Sequence, residues 1–403
     1  MTSELDNDKL RNMIDRTAKQ TLIRLAEQFP VVAVTGPRQS GKSTLVKETF
    51  PEKRYVTLDD ASLRELAASS PRDFIRAFKD GVIIDEAQKV PGLFDALKII
   101  VDSDEYAPGK YILTGSSQFK LKSRIKESLS GRIGMVNLLP LSIAELNRSG
   151  ILGSDAYDYA FNGLYTPFYD DKKRFDREDW FESYIDTYIE RDVAEEIRVS
   201  NLSQFKKFIQ FCAIYSGQIL NMESISREIG VSANTIKSWL SILENSFIIH
   251  LLEPDTNNLG RSIVKTPKLY FVDVGLLCYL LRIGSKEELL LSRYKGAIVE
   301  TMAVSELMKS RFNMGRKAEL TFFRDSNGFE VDVIADWRKT YALEVKSDVE
   351  TEKKLSANVR KYIELRNAEI NGYVYYLGEI TCDINGVRYV SWKDWGGEEH
   401  IRS

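Results

Sequence analysis

Residues 31–44 read VVAVTGPRQSGKST, and this stretch decides the fold of the first part of the chain. It opens with a short apolar run bounded by proline and glycine, which is typical of a buried parallel strand. Residues 36–43 then follow the spacing Gly-x-x-x-x-Gly-Lys-Ser, and a helix is predicted from Lys42. A strand, a glycine-containing turn and a helix in this order predict a phosphate-binding loop, or P-loop.

The residues of this loop suit a nucleoside triphosphate. Gly36 permits a sharp turn out of the strand, and Gly41 lets the backbone approach phosphate oxygens. The N–H groups of residues 39–43 and the N-terminus of the following helix favour an anion. Lys42 is predicted to contact the β- and γ-phosphates, and the Ser43 hydroxyl to hold Mg²⁺. We therefore expect ATP and Mg²⁺ as ligands, and the nucleotide-binding set is completed by Pro37, Arg38, Gln39, Ser40 and Thr44.

A second apolar run ends in two acidic residues. Residues 81–86 read GVIIDE, so Asp85 and Glu86 follow a predicted buried strand. In P-loop enzymes an aspartate at this place holds Mg²⁺. The adjacent glutamate can orient and deprotonate the attacking water, which indicates hydrolysis rather than binding alone.

Two further groups are candidates for contact with the γ-phosphate. Ser116 follows the predicted strand YILTG, and Thr114 is the alternative sensor; the other interpretation is a hydroxyl that completes a turn. Arg132, in SLSGRIG, is a candidate finger that reaches the nucleotide of a neighbouring subunit, which would require a homo-oligomer. A solvated surface arginine is the other interpretation of Arg132.

Several motifs recur in a fixed order along residues 15–350, and they carry a resemblance to a known family. They are GPRQSGKS, VIIDEAQ, ILTGSSQ, ESLSGRIGMVNLLPLSIAEL, SYIDTYIERDV, KSWLSILENSFIIHLLEP, KLYFVDVGLLCYLL, FFRDSNGFEVDVIADW and LEVKS. The sequence resembles prokaryotic AAA-plus ATPases with a C-terminal domain of unknown function 4143. The resemblance implies an AAA-plus core, a winged-helix middle and a C-terminal fold like restriction endonucleases of the PD-(D/E)XK type. Residues 162–169, NGLYTPFY, depart from the Gly-Gly-Tyr-Pro-like turn of that family, so no role is assigned to this loop.

The middle of the chain predicts a helix-turn-helix. Residues 151–170 are rich in Gly, Asp and Tyr and are predicted to be irregular. Further on, Gly230 suits the end of one helix and Ser232 the N-cap of the next. The second helix turns Ile236, Leu240 and Leu243 inward, and two strands after it would form a wing. DNA contact is the functional interpretation and a structural module the alternative; the predicted DNA-binding residues are Asn234, Lys237, Arg261, Lys265 and Lys268.

The last part of the chain carries carboxylates in the order Glu300, Asp332 and Glu344, with Lys346 two residues further. Strand alternation places Glu344 and Lys346 on one face. In restriction-endonuclease-like folds the Asp and the second Glu bind Mg²⁺, and the Lys activates water and stabilises charge. Glu300, on a predicted helix, would complete or support the metal shell. A degenerate nuclease fold that keeps these carboxylates for structure or binding is the alternative.

Composition narrows the class of protein. The chain has 403 residues, 56 basic and 59 acidic, so its net charge of −3 indicates no polyanion partner and a DNA contact must rest on a local patch. Two histidines and three separated cysteines nearly exclude histidine-based metal sites and Ser-His-Asp catalysis. We expect no signal peptide, no membrane segment and a cytoplasmic location.

The sequence therefore predicts an α/β protein with three domains. Residues 1–150 would form a P-loop NTPase domain with a parallel sheet and an N-terminal helix, residues 151–285 a helical linker and winged helix, and residues 286–403 a mixed α/β restriction-endonuclease-like domain. The predicted function is an Mg²⁺-dependent ATPase coupled to DNA binding or processing. The alternative is a nucleotide-controlled switch that binds DNA or protein and cleaves nothing.

Overall fold

The computed structural model describes most of the chain. It covers residues 14–103, 107–115, 124–125, 127–170, 175–193, 201–255, 264–366 and 368–397, without the side chains of residues 190–192 and 353. Of the predicted site residues, Ser116 and Arg261 lie outside the described residues.

A parallel five-stranded sheet forms the first part of the molecule. Its strands are β1 (Val31–Thr35), β2 (Arg54–Thr57), β3 (Val82–Asp85), β4 (Tyr111–Gly115) and β5 (Ile133–Asn137), in the order β2-β3-β4-β1-β5. Both faces of β1 are buried: Val31 and Ala33 belong to one core, and Val32 and Val34 to another. The helices of this part are α1 (Ala18–Ala26), α2 (Lys42–Thr49), α3 (Ala61–Ser69), α4 (Pro71–Arg76) and α5 (Gly92–Asp102).

The predicted α/β core is confirmed, and its topology positions the site. The P-loop follows β1, Asp85 ends β3, and Thr114 lies near the end of β4. Because β1, β3 and β4 are parallel neighbours, these ends meet at one edge of the sheet. Strand β2 ends at Thr57, and Asp60 caps α3 by accepting a hydrogen bond from Leu63 N.

The middle of the chain is mainly helical. Its helices are α6 (Ile143–Arg148), α7 (Ala156–Asn162), α8 (Arg177–Tyr184), α9 (Leu202–Ile214), α10 (Met222–Ile229) and α11 (Ala233–Asn245), and α8 continues as a π-helix over Ile185–Val193. The prediction that residues 151–170 are irregular is wrong in part. Helix α7 lies there because Asp155 caps it by accepting from Tyr157 N, and Tyr159 and Ala160 are buried in the core.

The predicted helix-turn-helix is present as α10 and α11. Gly230 ends α10 in the left-handed region with φ 78°. The Ser232 side chain accepts from Thr235 N at the start of α11. Ile236, Leu240 and Leu243 are buried as predicted. The winged-helix fold as such stays a prediction.

A second, nine-stranded mixed sheet runs through the rest of the molecule. Its strands are β6 (Gln218–Ile219), β7 (Ile249–Pro254), β8 (Lys268–Phe271), β9 (Leu320–Arg324), β10 (Glu330–Asp336), β11 (Thr340–Lys346), β12 (Ile370–Tyr376), β13 (Cys382–Ile384) and β14 (Val387–Ser391). Their order is β13-β14-β12-β11-β10-β9-β7-β8-β6. Because β7 pairs with β9, this sheet crosses the predicted domain boundary between residues 285 and 286.

Helix α14 (Lys295–Asn313) connects the two sheets. It is buried along most of its length and contacts β5 of the first sheet and β8 and β11 of the second. The other helices here are α12 (Val274–Leu280), α13 (Lys286–Leu291) and α15 (Ala357–Arg366). Within the described ranges, we find no helix with the length and hydropathy needed to cross a membrane.

Candidate functional site

The P-loop has the close packing that its glycines predict. A Cβ on Gly36 would lie 2.0 Å from the carbonyl oxygen of Leu138, so no larger residue fits there. Gly41 begins α2 in the left-handed region with φ 88°. The Lys42 side chain is buried and donates to the carbonyl oxygens of Gly36 at 3.0 Å and Pro37 at 2.7 Å. The lysine is thus folded back over the loop.

Burial lowers the pKa of the Lys42 ammonium. Desolvation lowers the pKa of Lys42 from its ordinary 10.5 to about 8, and the nearby carboxylates of Glu86 and Asp85 offset only part of that effect. A phosphate group beside the ammonium would favour its charged form.

Asp85 is the centre of a hydrogen-bond network. The Ser43 hydroxyl donates to its Oδ2 at 3.0 Å, and the hydroxyls of Tyr55 and Thr114 also donate to its carboxylate. Burial, followed by the hydrogen bond to Asp85, raises the pKa of Tyr55. Thr114 is therefore a partner of Asp85, and the sequence analysis did not single out Tyr55.

Ser43 and Asp85 fit a magnesium ion. Their oxygens already lie within hydrogen-bond distance, and hydroxyl and carboxylate oxygens are ligands that Mg²⁺ accepts. One such pair leaves the remaining positions to water and to nucleotide phosphates, which is how Mg²⁺ is usually bound at phosphate sites.

Glu86 lies directly beside this network. Its backbone is in the left-handed region with φ 53°, and its N–H donates to Asp85 Oδ1 at 3.1 Å. The Gln88 side-chain amide donates to Glu86 Oε2. Gln88 thus holds the predicted general base, a role that the sequence analysis missed although the residue stands in the motif VIIDEAQ.

Two distant residues support the P-loop backbone. The buried Arg16 guanidinium donates to the carbonyl oxygen of Ser40 at 2.6 Å and to Glu145 Oε1 at 3.1 Å. From the other side, Thr166 Oγ1 donates to the carbonyl oxygen of Gln39 at 2.8 Å. Thr166 belongs to the stretch NGLYTPFY, so the departure from the family pattern was a signal that the sequence analysis could not interpret.

Of the other predicted nucleotide residues, Pro37 and Ser40 are buried and the remaining three lie at the surface. Arg38, Gln39 and Thr44 are exposed, and the Arg38 guanidinium lies 5.7 Å from the centre of the Tyr188 ring. Arg132 pairs through two nitrogens with Asp102 and immediately precedes β5. That is the sheet edge opposite the P-loop, so Arg132 does not reach this chain's own nucleotide site, and its role as a finger in an oligomer stays a prediction.

The C-terminal sheet brings Asp332, Glu344 and Lys346 together. Asp332 lies where the pairing of β10 with β9 shifts register, and its Oδ2 accepts from Val345 N at 2.8 Å. Glu344 Oε1 accepts from Lys346 Nζ at 2.8 Å and from Asn358 Nδ2 at 3.3 Å. Glu344 Oε2 is buried and has no hydrogen-bond partner among the described residues. An oxygen in that situation fits a bound cation.

Burial and mutual repulsion disfavour the charged forms of the carboxylates in this pocket. Burial, then the neighbouring Glu300 and Glu344, raises the pKa of Asp332 well above its usual range. Burial also raises the pKa of Glu344, against the effect of Lys346. Within the described parts of the chain, no three His, Cys, Asp or Glu side chains converge as a metal cage would require. Asp332 and Glu344 fit a Mg²⁺ site only as the pair of carboxylates that such ions commonly take.

Lys268 corrects one sequence prediction. We predicted an exposed wing lysine that contacts DNA, but its side chain is 3% exposed and its ammonium pairs with Glu300 at 3.0 Å and with Glu330. The prediction is wrong because β8 lies inside the sheet and turns Lys268 toward the carboxylate pocket. Of the other predicted DNA-binding residues, Asn234, Lys237 and Lys265 are exposed.

Glu300 also differs from its predicted role. Its Oε1 accepts from Lys268 and from the Tyr270 hydroxyl at 2.5 Å. The helix α14 therefore brings Glu300 to the pocket as predicted, but its carboxylate is occupied by these donors.

Comparison with family models divides the chain into three matched segments. Residues 28–147 match the family described as AAA domain. Residues 153–287 match a Domain of unknown function (DUF8612), and residues 295–395 match a Domain of unknown function (DUF4143). Together with the parallel sheet and its P-loop, the first match makes the N-terminal part an AAA-type P-loop domain that supports nucleotide binding. The predicted match to DUF4143 is confirmed; its restriction-endonuclease-like nature stays a prediction.

Relatives and solved structures add distant likenesses. The uncharacterized protein Rv2008c of Mycobacterium tuberculosis is 28% identical over 337 residues, which cover 82% of this chain and 73% of the relative. An uncharacterized protein of Haemophilus influenzae is 24% identical over 291 residues, which cover 64% of this chain and 70% of the relative. A Walker-type ATPase of Pyrococcus abyssi superposes with a TM-score of 0.45 and 17% identity, covering 67% of this chain and 96% of that one. The Thermotoga maritima RuvB Holliday junction branch migration motor superposes with a TM-score of 0.29 and 15% identity, covering 58% of this chain and 88% of that one. Because both TM-scores are below 0.5, neither structure carries an argument about this chain.

Proposed function

We propose that this chain is an Mg²⁺-dependent ATPase whose turnover controls DNA binding or processing by the C-terminal pocket. The observation that carries the ATPase activity is the convergence of Lys42, Ser43 and Asp85 at one sheet edge, with Glu86 next to Asp85. The AAA-domain match over residues 28–147 supports it.

The side chains divide the chemistry of hydrolysis. The Lys42 ammonium leaves its two carbonyl partners and contacts the β- and γ-phosphates. Ser43 and Asp85 would hold Mg²⁺, and the ion would supply positive charge beside the phosphate oxygens. Glu86 accepts a proton from water as the water oxygen bonds to the γ-phosphorus. The bond from that phosphorus to the bridging oxygen breaks, and ADP and phosphate leave.

The test of this proposal replaces the general base. We expect Glu86→Gln to bind ATP but to lower the hydrolysis rate by on the order of 10²- to 10⁴-fold, because the amide cannot accept the proton. ATP binding is measured by calorimetry and turnover by phosphate release.

The matched control is Glu65→Gln, the same substitution at an exposed glutamate of α3. This control should hydrolyse ATP as the unmodified protein does. Unmodified turnover in Glu86→Gln would overturn the assignment of the base.

The DNA-directed part of the proposal rests on two groups of residues. Asp332, Glu344 and Lys346 lie together in the order that the nuclease interpretation requires. Asn234 and Lys237 are exposed on α11, and Lys265 is exposed before β8. Exposed basic and amide groups suit contacts with DNA phosphates and bases.

A second candidate function is a nucleotide-controlled switch that binds DNA or protein and cleaves nothing. The occupied state of Glu300 favours it, because Lys268 and Tyr270 hold the carboxylate that would complete a three-carboxylate metal site. A degenerate pocket of this kind would still offer carboxylate oxygens to a metal ion.

A nuclease assay separates the two candidates. We expect cleavage of linear, branched or single-stranded DNA with ATP and Mg²⁺, and its loss in Glu344→Ala but not in Glu364→Ala, an exposed residue of α15. Salt-dependent binding without cleavage in all three proteins would favour the switch.

A further inference from the structure

We propose that Lys268 is a positioning residue of the C-terminal pocket, where its buried ammonium takes the place of a second divalent cation between Glu300 and Glu330. The inference rests on the proposed function, which assigns one metal ion to Asp332 and Glu344. It adds a residue from the strand β8, outside the carboxylate and E-x-K motifs of the sequence.

The contacts of Lys268 are those of a bound cation. Its ammonium lies 3.0 Å from Glu300 Oε1 and also forms an ion pair with Glu330 Oε1. The remaining oxygen of Glu330 accepts from Arg324 at 2.8 Å, and Glu300 Oε1 accepts from the Tyr270 hydroxyl as well. Lys268 therefore joins two carboxylates from different elements, α14 and β10, as a bridging metal ion would.

The position of Glu330 ties Lys268 to the proposed metal ligands. Glu330 and Asp332 are two residues apart on β10, and the charges of both carboxylates act on the Lys268 ammonium. Glu300, Glu330 and Asp332 would otherwise be three carboxylates in one enclosed place. Repulsion among them is what a cation must offset, and Lys268 supplies that cation permanently.

Occupation by a lysine limits the number of metal ions. Carboxylate oxygens are the ligands that hard divalent cations prefer, so Glu300 and Glu330 could hold one if the ammonium were absent. The Lys268 ammonium instead occupies the place between these two carboxylates. Glu344 Oε2 still lacks a partner, so the pocket is suited to one metal ion and not to a pair.

The test counts divalent ions bound to the full chain without nucleotide. Mn²⁺ is the probe, and Asp85→Asn is present throughout to remove the P-loop carboxylate. We expect one Mn²⁺ in this background protein and one more after Lys268→Met, measured by calorimetry and by the electron paramagnetic resonance of free Mn²⁺. Lys268→Arg should restore the background count, and Lys339→Met, at an exposed lysine of the turn between β10 and β11, should not change it.

The outcomes separate this inference from the proposed function. No ion in the background protein and one in Lys268→Met would keep the role of Lys268 and overturn the metal site at Asp332 and Glu344. Equal counts in the two proteins would overturn the role of Lys268, whatever that count is.

Loss of folding also has a defined meaning. If Lys268→Met does not fold because the carboxylates repel, Mn²⁺ should restore its circular dichroism and thermal transition, since a metal ion replaces the missing charge. A variant that stays unfolded with Mn²⁺ would overturn the inference.

Discussion

The P-loop and the C-terminal pocket both bury ionisable side chains, which are basic at the first site and acidic at the second. At the P-loop, a buried ammonium, Lys42, faces two backbone carbonyl groups, and burial lowers its pKa. In the pocket, Asp332 and Glu344 are buried close together, and burial raises the pKa of both carboxyls. Each site is thus unfavourable for its own charged groups until a ligand of the other sign binds.

This difference shows what each site can bind. The P-loop favours an anion, because backbone N–H groups and a lysine converge there. The pocket favours a cation, and Lys268 and Lys346 already supply part of the positive charge. A single chain therefore presents a phosphate site and a candidate metal site, and α14 contacts strands of the sheets that carry both.

The largest effect is expected at the P-loop. Lys42→Ala should weaken ATP binding by on the order of 10²-fold, because a charge-assisted contact with phosphate contributes about 1.5–3 kcal/mol. Calorimetric titration with ATP measures the change. Thermal unfolding should show that the fold survives.

The control for this variant is Lys98→Ala, at an exposed lysine of α5. It should bind ATP normally. Equal ATP affinities in Lys42→Ala and Lys98→Ala would show that the loop does not bind the nucleotide through this ammonium.

The second effect concerns the pocket. In an Asp85→Asn background without nucleotide, Mg²⁺ at about 100 times its Kd should stabilise the chain by about 2.7 kcal/mol through mass action. Adding Asp332→Asn should abolish this gain and raise the metal-free melting temperature, because the amide removes the repulsion with Glu300 and Glu344. Differential scanning fluorimetry measures both shifts.

Asp383→Asn, at an exposed aspartate of β13, is the matched control and should keep the Mg²⁺ response. If Asp332→Asn responds to Mg²⁺ as its background does, the pocket binds no metal through this carboxylate. The contrast between an anion-binding P-loop and a cation-binding pocket would then be wrong.

The smallest effect is a pH dependence of ATP binding. Burial lowers the pKa of Lys42 from its ordinary 10.5 to about 8, and bound phosphates should raise this pKa again. ATP binding therefore takes up a proton between these values, approaching roughly one proton near pH 9 and falling toward zero below pH 7. ATP affinity should decrease as pH rises above 8, by at most about tenfold per pH unit.

Calorimetry in metal-free buffers of different ionisation enthalpy gives the proton count directly. Lys42→Arg, whose side chain stays charged, should show no uptake in this range. Equal proton uptake by the two proteins above pH 8 would assign it to another group.

The P-loop was predictable because its chemistry is local. The spacing of Gly36, Gly41 and Lys42 fixes a backbone shape, and a buried parallel strand before it needs no distant information. The helix caps at Gly230 and Ser232 were predictable for the same reason, since each acts within a few residues. The supports of the loop, Arg16 and Thr166, escaped this reasoning, as did Tyr55 and Gln88, which contact the two acidic residues.

The sequence by itself determined the α/β core, the P-loop and the order of the acidic residues, because strand periodicity and loop spacing are properties of neighbouring residues. Only the tertiary structure decided which groups meet across long separations. It placed Lys268 among Glu300 and Glu330 because β7 and β8 join the C-terminal strands in one sheet, a pairing that no local pattern encodes. From the sequence alone, a lysine next to a strand is predicted to be a surface charge. Only the order of the strands shows that the Lys268 side chain is buried.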